Sequence, residues 1–289
     1  YYDYLTGSYY MVNKLHPEWA TKAIAYNNFE MTAWQDTGKT WAVNIPQEYE
    51  KYFTKLLRTL DIPKDKYPEG FELQAPVWTM ADQAPYSLAG IPAFCNLSMG
   101  DVWWTLYHTK YDNETTYDAR VFDFNNKAYG LIDMAFDNTL VAPLDFTGRA
   151  TGFWGETDLD ILKANYSNFE RADAAVKNFE AKAEESYALV TEANRIYELL
   201  QNSSASEEVQ KTLSEMRSLA LKDTQAELEA YQLFQSDVMK LDRLEDEEIY
   251  GYTHPYKYVA EIDSAISALK GGDTESALES IGGLDNNYI

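Results

Sequence analysis

Residues 22–29, Lys22-Ala23-Ile24-Ala25-Tyr26-Asn27-Asn28-Phe29, have the length and composition of a buried strand. They follow a helix-like run over 9–15 and a break at His16-Pro17, where the proline pushes the residue before it away from helical geometry. Further along, 46–60 reads as an amphipathic helix. Pro46 opens it, and Tyr49, Phe53, Leu56, Leu57 and Leu60 fall on one face. Residues 73–80 and 91–97 look like further strands. Helical spacing returns over 126–141, with Ile132, Ala135, Phe136 and Leu140 aligned. Strands alternating with helices predict an α/β sheet with crossover connections.

The chain changes character near residue 150, so the expected domains are 1–150, an α/β unit, and 151–289, a helical one. Leu159, Leu162, Tyr166, Phe169, Val176, Phe179, Ala183, Tyr187 and Val190 step by three and four along one stripe. The polar stretch 201–206 interrupts, with Ser204 and Glu207 spaced as a capping box. A second stripe runs through Val209, Leu213, Met216, Ala220, Leu228, Tyr231, Val238 and Leu241. Two long antiparallel helices joined by a short turn are expected. Shorter helices are expected over 258–270 and 274–281, on either side of Gly271-Gly272.

A length of 289 residues leaves room for about two domains. With 24 Lys and Arg against 47 Asp and Glu, the net charge is -23. Such a surface repels polyanions, which excludes nucleic acid as the main partner and disfavours anionic membranes. No apolar run approaches the roughly 20 residues of a membrane span, so no insertion is expected. Cys95 is the only cysteine, leaving no intrachain disulfide and no Cys-rich zinc site. One free thiol suits a reducing cytoplasm, although the compartment stays open. Tyr1-Tyr2-Asp3-Tyr4 reads like the interior of a domain, so targeting signals are expected to lie outside the sequence.

Of three histidines, His16 and His254 each precede a proline, a turn context. His108 keeps different company. It sits in Tyr107-His108-Thr109-Lys110-Tyr111-Asp112, downstream of Ala81-Asp82-Gln83-Ala84-Pro85-Tyr86 and of Gly90-Ile91-Pro92. The order and spacing of these segments resemble the C-terminal half of the catalytic domain of zinc-dependent exopeptidases. That family includes bacterial zinc aminopeptidases, glutamate carboxypeptidase II and the catalytically inactive transferrin receptor. The resemblance makes His108 a zinc ligand and Tyr107 the hydrogen-bond donor to the tetrahedral intermediate. Asn28-Phe29-Glu30 stands where the family has Asn-x-Asp, which makes Glu30 a second ligand. Asp82 and Gln83 would line the substrate cleft. The stretch 141–146, the two long helices and the region 252–255 resemble the helical dimerisation domain of the glutamate carboxypeptidase and transferrin receptor branch.

Three departures bear on activity. Glu30 replaces the usual Asp and lengthens the ligand by one methylene. Gln83 stands where aminopeptidases often carry His. The remaining ligands and the general base would lie upstream of this sequence, so two zinc ions requiring about five ligands find only Glu30 and His108 here. Alone, this chain should bind zinc weakly and hydrolyse nothing. The resemblance implies a di-zinc exopeptidase acting on peptides, aminopeptidase ahead of carboxypeptidase, with a homodimer formed through the helices. The alternative is a transferrin receptor-like scaffold without metal, and a third reading makes Tyr107 and His108 ordinary core residues. Asp112 or Asp118 could orient His108. No phosphate loop, Gly-x-Ser-x-Gly elbow or His-Glu-x-x-His helix is present. Cys95 reads as a small buried thiol, and Trp78, Trp103 and Trp104 as either cleft or core.

Overall fold

The computed structural model describes residues 5–35, 37–78, 81–96, 98, 100, 103–107, 109–155, 158–203, 206–241 and 264–277. The chain enters through helix α1 (Thr6–Tyr10), which continues as a π-helical turn over Met11–Leu15 and a 3-10 turn over Pro17–Thr21. Strand β1 (Tyr26–Asn28) is shorter than the sequence suggests, because 22–25 form turns and only its second half pairs. Strand β2 (Thr40–Asn44) leads through a 3-10 turn (Gln47–Tyr49) into helix α2 (Glu50–Leu57), then strand β3 (Gly70–Gln74). Helix α3 (Gln83–Leu88), strand β4 (Ala93–Asn96), the short helix α4 (Trp103–Leu106) and helix α5 (Ala119–Asp137) follow.

The four strands form one mixed sheet in the order β1-β4-β2-β3. β1 runs parallel to β4 with Asn28 opposite Cys95; β2 runs parallel to β3 and antiparallel to β4. The expected α/β class therefore holds, and α2 is the crossover that parallel pairing of β2 and β3 requires. It buries Phe53 and Leu57, and the turn before it buries Tyr49, as the apolar face of 46–60 predicts. The expected strand over 73–80 begins earlier and is over by Gln74; residues 79 and 80 lie outside the described set.

Beyond α5 come α6 (Thr147–Thr151), α7 (Leu159–Asn165), and two long helices, α8 (Phe169–Gln201) and α9 (Glu207–Leu241). The first apolar stripe is thus split: Tyr166 is extended, and α7 and α8 are separate helices. Ser206 caps α9, accepting from Val209 N at 3.2 Å. Ser204 lies outside the described residues, as do 252–255. Helix recurs at 264–270 and 274–277.

α8 and α9 are antiparallel. Ser186 Oγ donates to Glu227 at 2.8 Å and Arg217 Nε donates to Tyr197 OH at 2.6 Å, pairs that move in opposite directions along the two helices. Their stripes close on each other and on the sheet unit. Ala183, Leu228 and Tyr231 belong to the same core as Trp41, Phe53, Phe94 and Ile132. Asn194 grips the segment after α5, accepting from Leu140 N and Val141 N and donating to Val141 O, all at 2.9 Å. The leucines left exposed, Leu189, Leu199, Leu219, Leu221 and Leu233, lie off the sequence stripes.

Candidate functional site

The polar residues that distinguish this sheet meet at the carboxyl ends of β1, β2 and β4. Asn28, the last residue of β1, extends its amide nitrogen to Glu30 Oε1 at 3.2 Å, to Gln83 Oε1 at 3.2 Å and towards Cys95 Sγ at 3.7 Å. Gln83 opens α3 and is fully buried; its own amide nitrogen reaches Asn44 Oδ1 at 3.4 Å. Asn44 ends β2, is also fully buried, and uses its whole side chain. It donates to Gln74 O at 2.8 Å and Pro76 O at 2.6 Å, and it accepts from Trp78 N at 2.7 Å. A continuous chain of amides therefore runs from the carboxylate of Glu30 to the loop that carries Trp78. Buried polar groups survive only when partnered, so each member of this chain depends on the next.

Asn44 was not foreseen. The signal for it was a short β-rich run, Thr40-Trp41-Ala42-Val43, ending in a polar residue before Pro46.

Electrostatics around the cluster follow from burial. The Cys95 thiol is pushed well above its ordinary value, first by desolvation and then by the nearby charges of Glu30 and Asp82, with Asn28 acting in the opposite sense. It is a protonated, buried thiol, as its sequence context suggests. Tyr129, whose hydroxyl bonds to Asn96, is likewise pushed up by burial, with Cys95 and Glu30 among the smaller contributions. Asp82 is half-buried just before α3 and accepts from Ser8. Its charge adds to the upward shifts of Tyr26 and Tyr86, whose rings stack 3.7 Å apart. The charges of Glu30 and Asp82 thus both act on one thiol, which shares Asn28 with Gln83. Trp78, half-exposed, sits on the loop that Asn44 holds.

Tyr107 is half-buried in the neighbouring loop, its ring edge-on to Trp34 at 6.4 Å. Trp34 in turn donates to Asp112 at 2.8 Å, and Thr116 Oγ1 donates to the same carboxylate at 3.2 Å. Asp118 is committed elsewhere, paired with Lys66 and capping α5 through Arg120 N and Val121 N. His108 lies outside the described residues.

Zinc requires imidazole, thiolate or carboxylate ligands in number. The cluster provides the carboxylate of Glu30, that of Asp82 acting on the same thiol, amides, and a thiol that stays protonated. Among the described residues no group of three or more His, Cys, Asp or Glu could hold a metal ion. The described residues alone do not fit zinc.

The chain is thus an α/β protein whose mixed sheet carries a polar cluster on the last residues of its strands. More specifically, residues 3–129 match the model of peptidase family M28, a family of zinc-dependent aminopeptidases and carboxypeptidases. The match ends within α5. It contains Glu30, Asp82, Gln83, Tyr107 and His108, and leaves α6 to α9 outside it. No curated protein matches the chain.

Proposed function

We propose that this chain contributes the C-terminal share of a di-zinc exopeptidase site, with Glu30 and His108 as its ligands and Tyr107 as its hydrogen-bond donor to the reacting carbonyl oxygen. The observation that carries the reading is Glu30. Its carboxylate stands two residues past the end of β1, oriented by Asn28, within a segment matched by a zinc-peptidase family. The polar lining is completed by Asp82 and Gln83. A surface of net charge -23 attracts the α-ammonium of a peptide more than its carboxylate, which favours an aminopeptidase. The described residues by themselves supply too few ligands for two zinc ions, and the reading needs His108 and further ligands outside that set. A homodimer through the helical region is part of the same proposal. Leu189 and Ile196, and Leu219 and Leu233, recur at heptad multiples on exposed faces of α8 and α9.

A second reading has its own support. The amides of Asn28, Gln83 and Asn44 are occupied with one another around Glu30, an arrangement that suits a metal-free scaffold of the transferrin receptor type. The deciding experiment is zinc content of the protein carrying the full ligand set, purified without chelator, together with hydrolysis of aminoacyl amides. About two zinc per chain, lost together with activity in Glu30→Ala and His108→Ala, supports the peptidase. Absence of zinc, with both variants indistinguishable from the parent, transfers the assignment to the scaffold.

A further inference from the structure

Between α2 and α6 the surface opens into a cavity of about 520 Å³ that shares no lining residue with the Glu30 cluster. One wall is α2, presenting Glu50, Lys51, Lys55 and Arg58. The facing wall includes Asp145 and Gly148. Lys51 and Asp145 neutralise each other at 2.6 Å. Three charges remain on the cavity wall with no oppositely charged partner among the described residues: the carboxylate of Glu50 and the cations of Lys55 and Arg58. In a chain with 47 acidic and 24 basic residues, two cations left unpaired on one wall are a local inversion of the overall charge.

The spacing of these charges defines the ligand. Glu50 and Arg58 are eight residues apart, about 12 Å along the helix axis, with Lys55 between them. An extended tripeptide spans about 10–11 Å, and the side chains cover the difference. We propose that this cavity binds a short peptide in its zwitterionic form, its ammonium on Glu50 and its carboxylate on Arg58 and Lys55. The planar guanidinium is suited to grip a carboxylate through paired hydrogen bonds. A dianion would meet repulsion from Glu50 and from the net charge of -23, whereas a zwitterion carries no net charge into that field. Bound there, the peptide would join the sheet unit to the α6 segment that packs against α8. The site stands independently of the peptidase reading.

Calorimetric titration of the whole chain with tri-alanine tests the proposal. Free tri-alanine is expected to bind, and the N-acetylated, C-amidated form to bind at least about tenfold more weakly, since both charge-assisted contacts are lost. The double variant Lys55→Ala, Arg58→Ala should weaken binding by about tenfold or more. Gly148→Met provides a second route: a β-carbon there meets nothing within 4 Å, so a bulky side chain can be added to the cavity wall while every charged residue is kept. It too should abolish binding. No heat with tri-alanine, equal binding of the blocked peptide, or competition by inorganic phosphate would overturn the assignment. So would binding lost in Glu30→Ala but retained in Lys55→Ala, Arg58→Ala.

Discussion

The sheet unit and the helical hairpin are held together by different means. In the sheet unit the interior is studded with polar side chains: Asn44, Glu48, Gln83, Ser87, Asn96, Ser98 and Asn125 are all buried. Each of these needs a particular partner, as Asn125 shows by accepting from Trp41 Nε1 at 2.9 Å and donating to Thr32 O at 2.8 Å. The described part of the hairpin buries Ala183, Val190, Tyr197, Leu213, Ala220, Leu228 and Tyr231, and its buried polar side chain is Gln235. Apolar packing tolerates exchange of similar shapes, whereas polar networks do not. The family match covers the polar region and stops before the hairpin. The family match and the polar interior therefore coincide in the sheet unit, and the hairpin packs against it as an apolar clamp.

The largest effect should come from breaking the buried ion pair of the sheet unit against which Phe234 of α9 packs. Arg149 Nε donates to Glu48 Oε1 at 2.5 Å, with the side chains 7% and 0% exposed, and its guanidinium lies 5.5 Å from the Phe234 ring of α9. Arg149→Met leaves a carboxylate buried without its cation, a loss of about 3–5 kcal/mol. The double variant Glu48→Leu, Arg149→Met should recover most of it, since a packed apolar pair often replaces a buried ion pair at little cost. Urea unfolding of the three proteins measures this. If the single variant loses less than about 1 kcal/mol, the pair does not hold the clamp.

Next in size is a steric joint. Gly90 has φ +92°, and a β-carbon built on it would lie 2.0 Å from Gln232 Cγ of α9. Gln232 also donates to Ala20 O at 3.2 Å. Gly90→Ala therefore combines backbone strain with displacement of a side chain that ties α9 to the entry segment, for about 2–4 kcal/mol. Gln232→Ala should relieve part of that penalty when combined with it. A non-additive double-mutant cycle would confirm contact across the joint, and simple additivity would deny it.

What could be read from the sequence follows the same divide. The hairpin was legible because its stripes are long and periodic, and 46–60 for the same reason. Periodicity nevertheless ran through Tyr166 unchecked: Leu162, Tyr166 and Phe169 keep helical spacing, yet the backbone at Tyr166 is extended. Short motifs single out Glu30 and Gln83, which the fold brings together on Asn28. β2 escaped, and it carries Asn44, which organises the cluster. Its five residues give too few alternations to mark a strand, and their meaning comes from pairing with β3 and β4, which are distant in sequence.

The smallest expected effects separate the two regions by pH. Asp118, capping α5, is held below its ordinary value, first by the hydrogen bond from Lys66. A carboxyl with a lowered folded value contributes stability above its unfolded value and loses it as pH falls through the folded one. Asp118→Asn should therefore cost stability at neutral pH and little in acid. Glu227, between α8 and α9, is shifted the other way, first by burial, with Ser186 opposing and Asp223 reinforcing. Its contribution is complete below the unfolded value and disappears as pH rises through the raised folded one. Glu227→Gln keeps the shape and a hydrogen-bonding group while removing the buried charge, so it should raise Tm at neutral pH and leave it nearly unchanged in acid. Melting curves for both variants between pH 4 and pH 8, about the range over which carboxyls with such shifts titrate, should thus diverge in opposite directions. A parallel response would mean that the clamp and the sheet unit do not titrate as separate regions.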